Sequence, residues 1–199
     1  MKSLSPRQQE IIQASFTIVR KKGIKGLTTK ELAKSLEITE PALYRHFKNK
    51  TDIVYAILCR MESDNKQMRT AFINSAMPAL DKLEAMYVST MGILAKNPVL
   101  ATVMLSEEHY LENKKLMAKA LAIQDGTLAT IGSILTQGVK KKQVRNDISG
   151  KELGLMIMGT MRLVAIRWRL SGYQTDLTAL VKRSWHSLKI TLRVIRSHP

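Results

Sequence analysis

Between residues 28 and 50 the chain gathers Thr28, Thr29, Glu40, Tyr44, Arg45, His46 and Lys50. These are hydroxyls, a phenol, an imidazole, a guanidinium and an ammonium, with one carboxylate among them. Such groups suit hydrogen bonds and charge contacts to phosphate oxygens and base edges. Elsewhere catalysis finds no support: there is no Gly-rich phosphate loop and no GxSxG, and His46, His109, His186 and His198 are scattered without partners. Glu107, Glu108 and His109 are adjacent, so on a helix they point in different directions, and His109 lacks the second histidine of an HExxH site. The lone Cys59 rules out an internal disulfide and a cysteine-based zinc site, and its apolar-periodic neighbours Ile53, Ile57 and Met61 mark it as a buried, inert thiol. The expectation is a protein that is not an enzyme and that has no metal and no cofactor.

Charge points the same way. Lys and Arg number 32 against 16 acids in 199 residues, a net +16. A field of that sign favours a polyanion, nucleic acid first and an anionic membrane surface second. Residues 1–50 hold 11 Lys and Arg against 4 acids. The N-terminal MKSLSPRQQE lacks the apolar stretch of a signal peptide, and LGLMIMGTM at 153–161 is about half the ~20 residues that cross a bilayer. A cytoplasmic chain with no membrane partner is expected.

The elements that must position the donors are helices. Ser5-Pro6-Arg7-Gln8 opens the first with a capping box, Ile12, Phe16 and Val19 line one face with Ile11 and Ile18 beside them, and Gly23 stops it. Thr28 to Glu31 is a second capping box, opening a helix through Leu36. Thr39 can cap a third, from Glu40 to about Phe47, with Pro41 tolerated in its first turn. Asn49 to Asp52 starts a fourth. On a helical wheel Leu43 and Phe47 fall together and must face inward, against Leu32, Ala33 and Leu36, with Ile38 joining the same core. Pro41, Ala42 and Arg45 then lie outside, with Tyr44 and His46 on the flanks. Each short helix is below the ~12–15 residues that stand alone in water, so the three fold as one unit. Its outward face can lie in a DNA major groove, while the N-termini at Thr28–Thr29 and Asn49–Lys50 suit phosphates. A three-helix packing unit with a solvated basic face is the plainer alternative.

The run from Ile11 to Leu58, with Ala14 and Phe16, GIKGLTTKELA and above all ITEPALYRHFKNKTDIV, resembles the N-terminal DNA-binding domain of the TetR family of bacterial transcriptional regulators. Helical periodicity along the whole chain reads as an all-α fold of about nine helices, and the resemblance implies how they are grouped. A helix-turn-helix domain (1–50) would precede a larger helical domain (51–199) that dimerises through its last two helices and often encloses a ligand pocket. It implies phosphate contacts at Thr28, Thr29, Tyr44, His46 and Lys50, and base-reading positions at Glu40, Pro41, Ala42 and Arg45. Glu37 departs from the pattern by standing where such turns often have Gly. A left-handed backbone there would cost about 1–2 kcal/mol, so the turn is either mildly strained or differently shaped.

In the second domain, a helix capped by Ser149 and Glu152 carries an apolar stripe that includes Met161, Val164 and Trp168. The last helix carries Val181, Trp185, Leu188 and Leu192. One economical way to bury such stripes is against a second copy, as a four-helix bundle; MRLVAIRWRLSGYQTDL (161–177) resembles that part of some family members. Met61, Met68, Phe72, Met86, Tyr87, Met91, Met104, Tyr110 and Met117 suit an adaptable apolar cavity, with His109 as a polar contact, although for any single one of them an ordinary core is the plainer reading. The expected partners are a double-stranded palindromic operator, a second copy of the chain, and a small apolar effector that releases a repressor. The alternative is a DNA-associated structural protein whose second domain binds another protein.

Overall fold

The computed structural model describes residues 4–106, 108–111 and 113–194, with the side chains of Glu108 and His109 outside that description. Glu107, His198 and the side chain of His109, raised above, therefore lie outside the described residues. The described residues form ten helices and no strand: α1 (Pro6–Lys22), α2 (Thr29–Ser35), α3 (Glu40–Tyr44), α4 (Lys50–Asn74), α5 (Ala79–Lys96), α6 (Pro98–Met104), α7 (Glu108–Leu111), α8 (Lys114–Lys140), α9 (Gly150–Leu170) and α10 (Leu177–Leu192). The four-residue α7 is a single turn. The chain separates into two compact units, Met1–Ser63 with Pro98–Leu121, and Asp64–Asn97 with Ala122–Pro199.

In the first unit, the ends of the helices follow local chemistry. Ser5 and Gln8 form the reciprocal capping box of α1, and Gly23, at φ +68°, ends it by donating its N–H to the Val19 carbonyl. Thr28 caps α2 by accepting from the Glu31 N–H at 3.1 Å, but the Glu31 carboxylate pairs with Lys22 of α1 and does not turn back to Thr28. That pair holds the Glu31 carboxyl below its usual range. Of the two alternatives for Glu37, the strained one holds: its backbone is left-handed, at φ +53°. The reason is the turn that ends α2: the Ile38 N–H reaches the Ala33 carbonyl at 3.0 Å and the Glu37 N–H reaches Lys34 at 3.3 Å, the two bonds of a Schellman motif.

Ile11, Leu27, Leu32, Leu43 and Ile53 are wholly buried, and Phe47 is 6% exposed. α1 packs on both α2 and α6, and α2 on α3. That double duty widens the buried side of α1: Ile11 and Ile18 are buried with Ile12 and Val19, while Phe16 is half-buried. Leu36 and Ile38 are likewise half-buried. α3 ends at Tyr44, three residues before the expected end, although the Phe47 N–H still bonds the Leu43 carbonyl at 3.1 Å.

In the second unit α10 packs on α5 and α9. Lys189 bridges to Glu84 at 3.0 Å and to Asp81 at 3.4 Å, and Tyr87 bonds Ser184 at 2.7 Å. Lys82, 4% exposed, donates to the Ile73 carbonyl at 2.8 Å and to Gln137 at 3.0 Å, supplying a cation to the last turn of α4.

The placement of Met161, Val164, Trp168, Val181, Trp185, Leu188 and Leu192 corrects the sequence reading. All seven are buried within the single chain, none more than 7% exposed. The stripes meet α5 and each other, so they form the unit's own core and are not a surface left for a partner. The uncovered apolar residues are Leu155, Met156, Leu163 and Leu170 on α9 and Ile190 on α10, from 43% to 76% exposed. Gly159 stands among those of α9, and a Cβ there would meet nothing within 4 Å.

Candidate nucleic-acid interface

Leu43 and Phe47 clamp α3 into the first unit and turn its other side outward. Pro41 and Arg45 are exposed, Tyr44 is 47% exposed, and Ala42 and His46 are half-buried. The nine residues singled out for nucleic acid all belong to this one unit. Small side chains at 41 and 42, flanked by longer donors, suit a helix laid in a groove.

Three long-range hydrogen bonds fix that surface. Thr29 donates its hydroxyl to Glu40 at 2.7 Å, joining the first turns of α2 and α3. Gln8 of α1 donates to the His46 carbonyl at 3.2 Å, just past the end of α3. Lys50 donates to the Ile24 carbonyl at 2.7 Å, tying the start of α4 to the connection between α1 and α2. Burial pushes the Lys50 ammonium below its usual value, and the Ile24 bond uses one of its three donors. Thr28 is exposed and uses its oxygen as the cap of α2, which leaves its hydroxyl hydrogen for an outside acceptor.

Gln8 and the Ile24 carbonyl were missing from the sequence reading. Gln8 carries a local signal only for the capping box, and nothing in a sequence marks which carbonyl a distant lysine will reach.

The side chains considered for a cavity divide between the units. Met61, Met104, Tyr110 and Met117 fall in the first, where Met61 and Tyr110 are buried, Tyr110 donates to the Val103 carbonyl, and Met117 is exposed. Met68, Phe72, Met86, Tyr87 and Met91 fall in the second. There Met86, Tyr87 and Met91 are buried, while Met68 and Phe72 are half-buried, with Ser89 on the Met68 sulfur at 3.2 Å.

Comparison with known proteins assigns the architecture. Residues 11–57 match the family model described as bacterial regulatory proteins, tetR family. Residues 59–191 match the model of the C-terminal region of YsiA-like proteins. The chain belongs to the TetR family. As a TetR-family member it is a DNA-binding transcriptional regulator and not an enzyme. The fatty acid metabolism regulator protein of Bacillus subtilis is 27% identical over 188 residues, which cover 90% of this chain and 92% of that one. The nucleoid occlusion factor SlmA of Actinobacillus pleuropneumoniae is 27% identical over 139 residues, 67% of each chain. The fold is shared with the fatty acid degradation regulator FadR of Bacillus halodurans, at TM-score 0.84 and 24% identity over 94% of this chain and 97% of that one. It is also shared with FadR of Bacillus subtilis, solved in complex with stearoyl-CoA, at TM-score 0.79 and 24% identity over 90% and 96% of the two chains. No described helix is long and apolar enough to cross a membrane.

Proposed function

We propose that this TetR-family chain is a homodimeric repressor that binds a palindromic operator and is released by a long-chain acyl thioester of coenzyme A. The observation that carries the DNA half is the buried Leu43–Phe47 pair, which leaves Pro41, Ala42 and Arg45 facing outward. In this reading residues 1–50 act as the DNA-binding domain and 51–199 as the effector and dimerisation domain. Thr28, Thr29, Tyr44, His46 and Lys50 hold phosphates, and Glu40, Pro41, Ala42 and Arg45 face the bases. Two copies pair through the uncovered α9 face around Gly159 and Leu163, and their recognition helices read half-sites about 34–36 Å apart, one DNA turn, or a multiple of it.

The effector class comes from the Bacillus subtilis fatty acid metabolism regulator, similar over nearly the whole length, and from the stearoyl-CoA held by a protein of the same fold. Such a ligand has an apolar tail suited to soft side chains such as Met68, Phe72, Met86 and Met91, and an anionic head suited to a basic chain. It releases DNA only by binding the non-operator conformation more tightly than the operator-bound one.

The test is operator binding by fluorescence anisotropy, with and without palmitoyl-CoA. Between 50 and 200 mM salt, affinity for the operator falls ~10³–10⁵-fold if 6–10 phosphates are held, and Lys50→Ala lowers the salt slope by about 1. Equal affinity for operator and unrelated DNA sinks the repressor reading, and operator binding indifferent to acyl-CoA sinks the effector.

One observation favours a second reading: SlmA, named a nucleoid occlusion factor, is similar over two thirds of the chain. In that reading the second domain binds a protein partner while the first stays on DNA. A stable partner recovered with the DNA-bound chain, together with indifference to acyl-CoA, would select it.

A further inference from the structure

Among the nine residues singled out for nucleic acid, Glu40 is the only acid. It is half-buried at the first position of α3, where the first turn of α2 meets it. Its Oε2 accepts the Thr29 hydroxyl at 2.7 Å. Its Oε1 takes no hydrogen bond among the described residues and is not sealed from solvent. No Lys or Arg of the described residues pairs with this carboxylate, although the surrounding domain is rich in both. One oxygen is thus held by the protein, and the other is left as an open acceptor.

A free carboxylate is a poor neighbour for DNA. Phosphates repel it, and so do the carbonyl oxygens and ring nitrogens along the groove floor. It is tolerated where a base offers it a donor, and the major groove has two such groups, adenine N6 and cytosine N4. Adenine N6 lies between two acceptors, its own N7 and O4 of the paired thymine. Cytosine N4 has O6 of the paired guanine on one side and a carbon-bound hydrogen on the other. An acceptor-only group therefore prefers cytosine. The N-terminal residues of a recognition helix are the ones that reach base edges, which is where Glu40 stands. The Thr29 bond removes rotamer freedom from a long side chain, so less order has to be gained on the DNA.

We infer that Glu40 Oε1 accepts the exocyclic amine of a cytosine in each operator half-site, an assignment that rests on the operator reading above. Thr29 is the positioning residue that aims it. Against any other base the carboxylate meets an acceptor or a methyl group, so Glu40 discriminates chiefly by rejecting wrong sites.

The test is selection of binding sites from double-stranded DNA randomised over two helical turns. Wild type should enrich a palindrome with a fixed cytosine in one column of each half-site. Glu40→Ala leaves that column degenerate and the others unchanged. Glu40→Gln, whose amide also donates, admits adenine there beside cytosine. Thr29→Val blurs the same column, and Thr29→Ser restores it. On the enriched site, deoxyzebularine (deoxycytidine without its amino group) in that column weakens wild type about tenfold and leaves Glu40→Ala unaffected. A cytosine column that survives in Glu40→Ala overturns the assignment and leaves the operator reading standing. So does a wild-type palindrome without such a column, or wild type indifferent to deoxyzebularine. If wild type enriches no palindrome, the operator reading falls and this assignment falls with it.

Discussion

The Thr29 hydroxyl donates to the Glu40 carboxylate at 2.7 Å, so two residues expected at the DNA surface hold each other. Glu40 thereby orients the first turn of α2 as well as standing at the head of α3. Glu40→Gln and Glu40→Ala both remove the negative charge, and only the first keeps an acceptor for Thr29. Glu40→Ala is expected to bind operator about tenfold more weakly than Glu40→Gln, while the two bind unrelated DNA equally. Anisotropy titrations on both DNAs check this, and equal operator affinities would show that the bond positions nothing.

The outward face of α9 predicts which substitutions change assembly. Leu163, 57% exposed, becomes a charge against its own copy in Leu163→Glu, and sedimentation should show a folded monomer whose melting temperature no longer rises with protein concentration. Leu188→Ala removes a side chain that is 6% exposed. It should cost about 2–5 kcal/mol of folding stability without altering the oligomeric state. A dimeric Leu163→Glu protein would move the interface elsewhere.

Glu37 holds a left-handed backbone at φ +53° to close the turn between α2 and α3. Glycine adopts that geometry without the Cβ clash. Glu37→Gly should therefore stabilise the protein by about 1 kcal/mol in urea unfolding, with the operator footprint unchanged. Destabilisation would mean that the Glu37 side chain contributes something beyond the backbone it strains.

The Glu152 carboxyl, held below its ordinary 4.5 by the Ser149 hydroxyl and backbone N–H of the α9 cap, sets a direction for acid titration. The folded carboxyl binds its proton more weakly than the unfolded one. Its contribution is full above the unfolded value and is lost as pH falls through the folded one. Glu152→Gln keeps the cap geometry and removes the titration. The variant should lose less melting temperature than wild type between pH 5 and pH 3. Parallel losses would assign the acid sensitivity to other carboxyls.

Elements with a local cause were legible in the sequence. The caps at Ser5, Thr28, Thr39 and Ser149, the stop at Gly23 and the inward Leu43 and Phe47 all follow from spacing and side-chain chemistry, and all stand so in the fold. What depends on a distant neighbour was not. The stripe through Val164, Trp168 and Trp185 reads as apolar and in need of cover, but periodicity does not say whether the cover is α5 or another copy. The Gln8–His46 and Lys50–Ile24 bonds span 38 and 26 residues and have no pattern to announce them.

One surface feature couples two equilibria. From residue 150 to 194, across α9 and α10, eight Lys and Arg stand against two acids, and one of the eight, Lys189, is bridged to carboxylates of α5, Asp81 and Glu84. In the proposed dimer, pairing two copies on this side brings like charges together, so added electrolyte should tighten the pairing while it loosens the grip on the operator. Occupancy of an operator that needs both associations should pass through a maximum with ionic strength, a peaked titration where an uncharged seam would give a steady decline.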